Sequence, residues 1–90
     1  MPRYLIERTF PGGLAVADTD EGAAGLARIV DVNACRGVTW LHSYVSPAKT
    51  RSYCVYDAPS AEAIRVAAGL NALPVGCITE VSVLDPYRFR

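Results

Sequence analysis

Between Arg3 and Phe10 apolar and polar positions alternate among β-branched and aromatic residues, and Pro11-Gly12-Gly13 breaks the run. A period of two that ends in turn formers predicts a strand. Asp18, followed three residues later by Glu21, fits a helix capping box, and Ala23, Leu26, Ala27, Val30 and Ala34 then recur at helical spacing. This predicts a helix from about Thr19 to about Cys35, ended by Arg36-Gly37. Two further strands, Val38 to Val45 and Lys49 to Tyr56, are joined through Ser46-Pro47-Ala48 and read as a hairpin. Asp57-Ala58-Pro59-Ser60 closes the second of them, with Ser60 placed as an N-cap, Glu62 in a first turn, and Ile64, Ala67 and Ala68 as a narrow apolar stripe. After this short second helix, Pro74 and Gly76 precede a last β-branched run from Cys77 to Leu84, which Asp85-Pro86 ends.

The resulting order, β-α-β-β-α-β, is that of a ferredoxin-like split βαβ in the α+β class. It predicts one antiparallel sheet in the order 4-1-3-2 with both helices on one face. No repeat, linker or low-complexity segment divides residues 1–90, which read as a single domain. The alternative is another small α+β sandwich with the same elements paired differently.

Side chains alternate across a strand, so parity assigns each position to the helix side or to the far face. Leu41 and Val45, Tyr53 and Val55, and Val81 and Val83 are apolar enough to be the helix-facing set. That leaves Trp40, His42 and Tyr44, then Cys54 and Tyr56, then Ile78 and Glu80 on the far face. The first strand is ambiguous: if Tyr4 and Ile6 face the helices, Leu5 and Glu7 join the far face, and a bulge would swap Glu7 back. So aromatic a surface predicts association, because contiguous apolar patches mark binding sites. A sheet-to-sheet homodimer follows, with Trp40, Tyr44 and Tyr56 at its interface.

Across that face the order 4-1-3-2 reads Glu80, Glu7, Cys54, His42, one potential ligand or proton carrier per strand. Imidazole suits nickel, thiolate with imidazole suits several late first-row ions, and carboxylates complete a shell, so the row is a candidate site for Ni2+ or another divalent transition metal. No HxH or ExxH spacing fixes two ligands locally, and strands about 4.8 Å apart stretch a row of four beyond one ion's reach unless some members converge. Each residue also has a plainer reading. His42 packs between Trp40 and Tyr44, Cys54 fills space as a small hydrophobe, and Glu7 and Glu80 pair with Arg3, Arg8, Lys49 or Arg51.

Composition narrows the partners. Nine Lys plus Arg balance nine Asp plus Glu in 90 residues, so there is no basic field for nucleic acid or an anionic membrane surface. A charged N-terminus, Met1-Pro2-Arg3 followed after a few residues by Glu7 and Arg8, fits neither a signal peptide nor a membrane span and points to the cytoplasm. Cys35, Cys54 and Cys77 are odd in number and widely spaced, which suits reduced thiols and forms no CxxC pattern. Gly12-Gly13 lacks the pattern of a phosphate loop. A domain this small buries only about 60% of its unfolded surface, which again favours a dimer.

Three stretches, "YLIERTFPG", "TWLHSYV" with the following "YCVYDAPSAEAIR", and "LPVGCITEVSVLDP", together resemble the short actinobacterial-type nickel-binding proteins, a ferredoxin-like family otherwise of unknown function. The resemblance covers nearly the whole chain. It implies a homodimer that binds nickel without a known reaction, and it raises the metal reading of His42, with Glu7, Cys54 and Glu80 at matching positions. Relatives commonly carry a histidine two places after the "EAIR" segment, where this chain has Ala67. Two other classes stay open. A cofactor-independent monooxygenase or isomerase acting on a small aromatic substrate would need His42 or a carboxylate aimed into a deep apolar cavity lined by Trp40 and Tyr44. A pure interaction module would bury a partner on the far face and nothing else.

Overall fold

The computed structural model describes residues 2–14 and 20–89. Strands Arg3–Thr9 (β1), Thr39–Val45 (β2), Arg51–Asp57 (β3) and Cys77–Val81 (β4) and helices Asp20–Ala34 (α1) and Ala61–Leu70 (α2) follow in the order β-α-β-β-α-β, with a 3-10 turn at Pro86–Phe89. All strand pairs are antiparallel and the sheet runs β2-β3-β1-β4, which is the expected 4-1-3-2 read from the opposite edge. Asp18 of the expected capping box lies outside the described residues. β4 ends at Val81, short of the expected Leu84, and leaves Val83 and Leu84 exposed.

The termini of the helices follow from local chemistry. Ser60 is extended (φ −162°, ψ 163°) and its hydroxyl accepts from the Ala63 N–H at 3.2 Å, satisfying a donor at the start of α2. α1 stops where Gly37 adopts φ +71°, and the Gly37 and Val38 amides donate back to the carbonyls of Ala34 and Asn33 at 3.0 Å each. Gly76 is required by close approach: its N–H donates to the Glu7 carbonyl at 2.9 Å, and a Cβ there would lie 2.9 Å from that same oxygen.

The core lies between the sheet and α2. Ile6, Val38 and Ile64 have essentially no exposed surface, and Tyr4, Cys54, Tyr56, Ala58 and Ala67 complete the cluster. Ala67 and Ala68 let α2 come down onto the sheet, as the stripe predicts. Helix α1 is seated differently. Asn33 is its one buried residue among those described, and its Oδ1 accepts from Asn71 Nδ2 at 3.1 Å, tying the end of α1 to the end of α2. Leu26 and Ile29 are only half buried, and a void remains beneath them.

Register decides the faces, and it overturns much of the parity assignment. Ile6 pairs with Cys54 and Ile78, and Tyr4 pairs with Tyr56 and Glu80, so all six belong to the helix side. Tyr53, Val55 and Val81 alternate with them onto the open face, and Leu5 and Glu7 join them there. In β2 the pairing passes from Trp40↔Tyr56 to His42↔Val55 with Leu41 unmatched, a bulge that puts Trp40 on the helix side and His42 and Tyr44 on the open face. Val45, opposite Ser52, returns to the helix side as expected.

Candidate functional site

The four residues of the expected row divide between the two sides of the sheet. His42 and Glu7 are exposed on the open face. Cys54 is 6% exposed in the core, its Sγ 3.7 Å from Ser52 Oγ, and Glu80 is in register with Tyr4 on the helix side of the β4 edge. The row therefore does not form, because β1 fixes the parity of its neighbours through the ladder and only one side of a pleated strand points each way. Among the described residues no group of three His, Cys, Asp or Glu side chains could hold a metal ion. Nor is the enzyme arrangement built among the described residues: Trp40 lines an apolar cavity, but His42 and Tyr44 point away from it and no Asp or Glu lines it.

On the open face, the His42 ring meets Tyr44 edge-on, centroids 5.2 Å apart at 85°, and Tyr44 is 64% exposed. The expected interface splits too. Tyr44 is displayed, whereas Tyr56 is buried in the core and Trp40 donates its Nε1–H to Ser43 Oγ at 2.8 Å on the helix side. Leu5, Tyr53, Val55 and Val81 make the centre of the open face, half buried and without a covering layer among the described residues. Arg3 and Asp57, opposite each other, close one end of it: Arg3 Nε lies 2.9 Å from Asp57 Oδ1 and Nη2 3.4 Å from Oδ2. The Arg3 hydrogen bond holds the Asp57 carboxyl below its ordinary value, and Asp57 in return raises Arg3. Arg3 thus serves Asp57 rather than either glutamate.

Position 67, where relatives carry histidine, is 1% exposed in α2 and packs in the core. The sheet separates it from His42.

The helix side holds a residue that sequence reasoning treated only as a counter-ion. Arg8 is 4% exposed, its guanidinium carbon 5.6 Å from the centre of the Tyr56 ring, and its Nε has no hydrogen-bond partner among the described residues. Burial pushes the Tyr56 hydroxyl above the usual phenol value, while the neighbouring Arg8 and Asn33 pull it down. The signal in the sequence was positional: Arg8 shares the parity of Tyr4 and Ile6.

A four-stranded antiparallel sheet with both helices on one side, and the other side bare among the described residues, defines a ferredoxin-like α+β domain. A family model described as "Nickel responsive protein SCO4226-like" matches residues 4–81, and the chain belongs to that family. The resemblance carried by the three motifs is borne out. The fold is similar to that of SCO4226 from Streptomyces coelicolor A3(2) in its crystal structure, with a TM-score of 0.71, 19% identity, and coverage of 92% of this chain and 99% of that one. Curated proteins give no match. Among the described residues no helix is long and apolar enough to cross a membrane.

Proposed function

We propose that the protein is a cytoplasmic, non-enzymatic binder of Ni2+ or a similar divalent ion, whose site is completed between two copies packed through their open sheet faces. The observation that carries this reading is the placement of His42 and Glu7 on one exposed face, too far apart to share an ion within one chain. Leu5, the neighbour of Val55, is in the His42 row, and Glu7 is two residues further along; two strand spacings and two residues separate the pair by roughly 12 Å. A two-fold axis makes contacts reciprocal, so His42 of one copy facing Glu7 of a second generates two equivalent sites. The family description supports nickel as the ion, and the imidazole suits it. Cys35, Cys54 and Cys77 are free thiols, which accords with a reducing compartment.

Calorimetric titration with nickel chloride tests the proposal on the wild-type protein and His42→Ala in parallel. Saturable binding by the wild type, lost in the variant and weakened in Glu7→Gln, supports it. Equal weak binding by wild type and His42→Ala rejects it. Because a shared site couples binding to association, sedimentation should show nickel shifting the wild type, and not His42→Ala, toward dimer.

A further inference from the structure

On the side of the sheet opposite His42, a cavity of about 260 Å³, partly open to solvent, separates α1 from the strands. Leu26 and Ile29 roof it, Trp40, Cys54 and Tyr56 form its floor, and Arg8 supplies a cation at its wall. The roof and floor are almost wholly apolar. A guanidinium is a poor choice for filling such a space: it stays protonated at any pH a folded protein meets, so it cannot shed its charge on burial as a lysine can. Among the described residues Arg8 has no carboxylate partner, and its Nε–H is buried without an acceptor. Tyr56 beneath it provides a weak quadrupolar attraction from its ring and a hydrogen-bonding hydroxyl, neither of which neutralises the charge. An anion from outside the chain would offset the missing countercharge, through charge-assisted N–H···O bonds from the end of the guanidinium.

We infer that this cavity binds a compact aromatic monocarboxylate, its carboxylate on Arg8 and its ring against Trp40 and the α1 side chains Leu26 and Ile29. Charge selects the anion and disfavours a metal ion, because any cation entering would meet Arg8. One arginine and apolar walls cannot satisfy the many acceptors of a phosphate, whereas a single carboxylate leaves the rest of the ligand free to be apolar. Volume sets the size. A dry cavity of about 150 Å³ accepts benzene, so one less than twice as large holds a ring, a carboxylate and about one linking carbon. The flat walls offered by Trp40 and Tyr56 favour a ring over a chain.

Trp40 is the only tryptophan and forms part of the wall, so its fluorescence reports occupancy directly. The purified full chain is titrated with phenylacetate and, as a neutral isostere, phenylacetamide, with octanoate as a chain of similar mass. The expected result is a saturable change with phenylacetate, weaker by roughly tenfold to a hundredfold with the amide, since a charged hydrogen bond separates them. Arg8→Met should lose phenylacetate binding by a similar factor, retain the wild-type circular dichroism, and melt no lower than the wild type, as expected when an unpaired buried charge is replaced by an apolar chain of similar length. Arg8→Lys, which keeps the charge and loses the fork, should bind more weakly than wild type. Nickel binding by Arg8→Met should be unchanged, which separates this site from the one on the open face. No saturable response, equal affinity for acid and amide, tighter binding of octanoate, or undiminished binding by Arg8→Met would each overturn the inference. So would a lowered melting temperature of Arg8→Met in a protein whose wild type ignores phenylacetate.

Discussion

Ile6 has no exposed surface, and its register with Cys54 and Ile78 places it at the centre of the helix-facing side. Ile6→Ala should therefore cost about 2–5 kcal/mol, the range for emptying a core site that cannot fully collapse, read from a urea midpoint at unchanged slope. The Arg3–Asp57 pair makes a pH prediction of known sign. Asp57 is held below its unfolded value, so its contribution is complete above that value and is lost as pH falls through the lower, folded one. Below pH about 4, the stability advantage of the wild type over Asp57→Asn should shrink steadily. The pair is solvent-accessible, so the difference at neutral pH should be small, and an advantage that grows in acid would contradict the assignment.

At the scale of an element, β2 shows how one residue can rearrange a face. Leu41 has no partner on β3, and Trp40 and His42 already pair with consecutive residues, Tyr56 and Val55. Removing Leu41 would thus restore simple alternation without moving either neighbour to the other side. The deletion variant should still unfold cooperatively, with Trp40 fluorescence as blue as in the wild type. A red-shifted, solvent-exposed tryptophan would show that the bulge itself is required. For α2, losing the Ser60 hydroxyl leaves the Ala63 amide without its acceptor, and Ser60→Ala should cost about 0.5–2 kcal/mol in thermal or urea unfolding.

The whole molecule presents two unlike surfaces with the sheet between them. One side is closed by α2 and only partly by α1, which leaves the Arg8 cavity; the other carries tyrosines, aliphatic residues and His42 with no layer above among the described residues. A 90-residue chain has little core to spare, and covering the open face with a second copy would add burial that the monomer lacks. A face on which Arg3 and Arg51 balance Asp57 and Glu7 is compatible with its own two-fold image. Melting temperature should therefore rise with protein concentration, a dependence absent from a protein that stays monomeric. A charge introduced at Tyr44 supplies the control: Tyr44→Glu, at a position already 64% exposed, should leave the monomer folded and abolish that dependence.

The amino-acid sequence determined the elements and their order, and pointed to the sheet order. Proline, glycine and capping residues act over a few positions, and the β-α-β-β-α-β order allows few sheet topologies. Ser60, Gly37 and the Ile64-Ala67-Ala68 stripe do in the structure what local chemistry predicts. It also determined the family, through motifs spread along the chain. Which way the strands face was another matter. In β3 both alternating sets, Tyr53 with Val55 and Cys54 with Tyr56, are apolar, so hydrophobicity cannot choose between them; the ladder to Tyr4 and Ile6 chooses. A bulge at Leu41 then breaks parity inside β2, and no residue type announces it. Because a shift of one position turns every side chain over, tertiary pairing alone decided that Glu7 looks outward, that Trp40 parts from His42, that Cys54 is core, and that Arg8 is enclosed beneath α1.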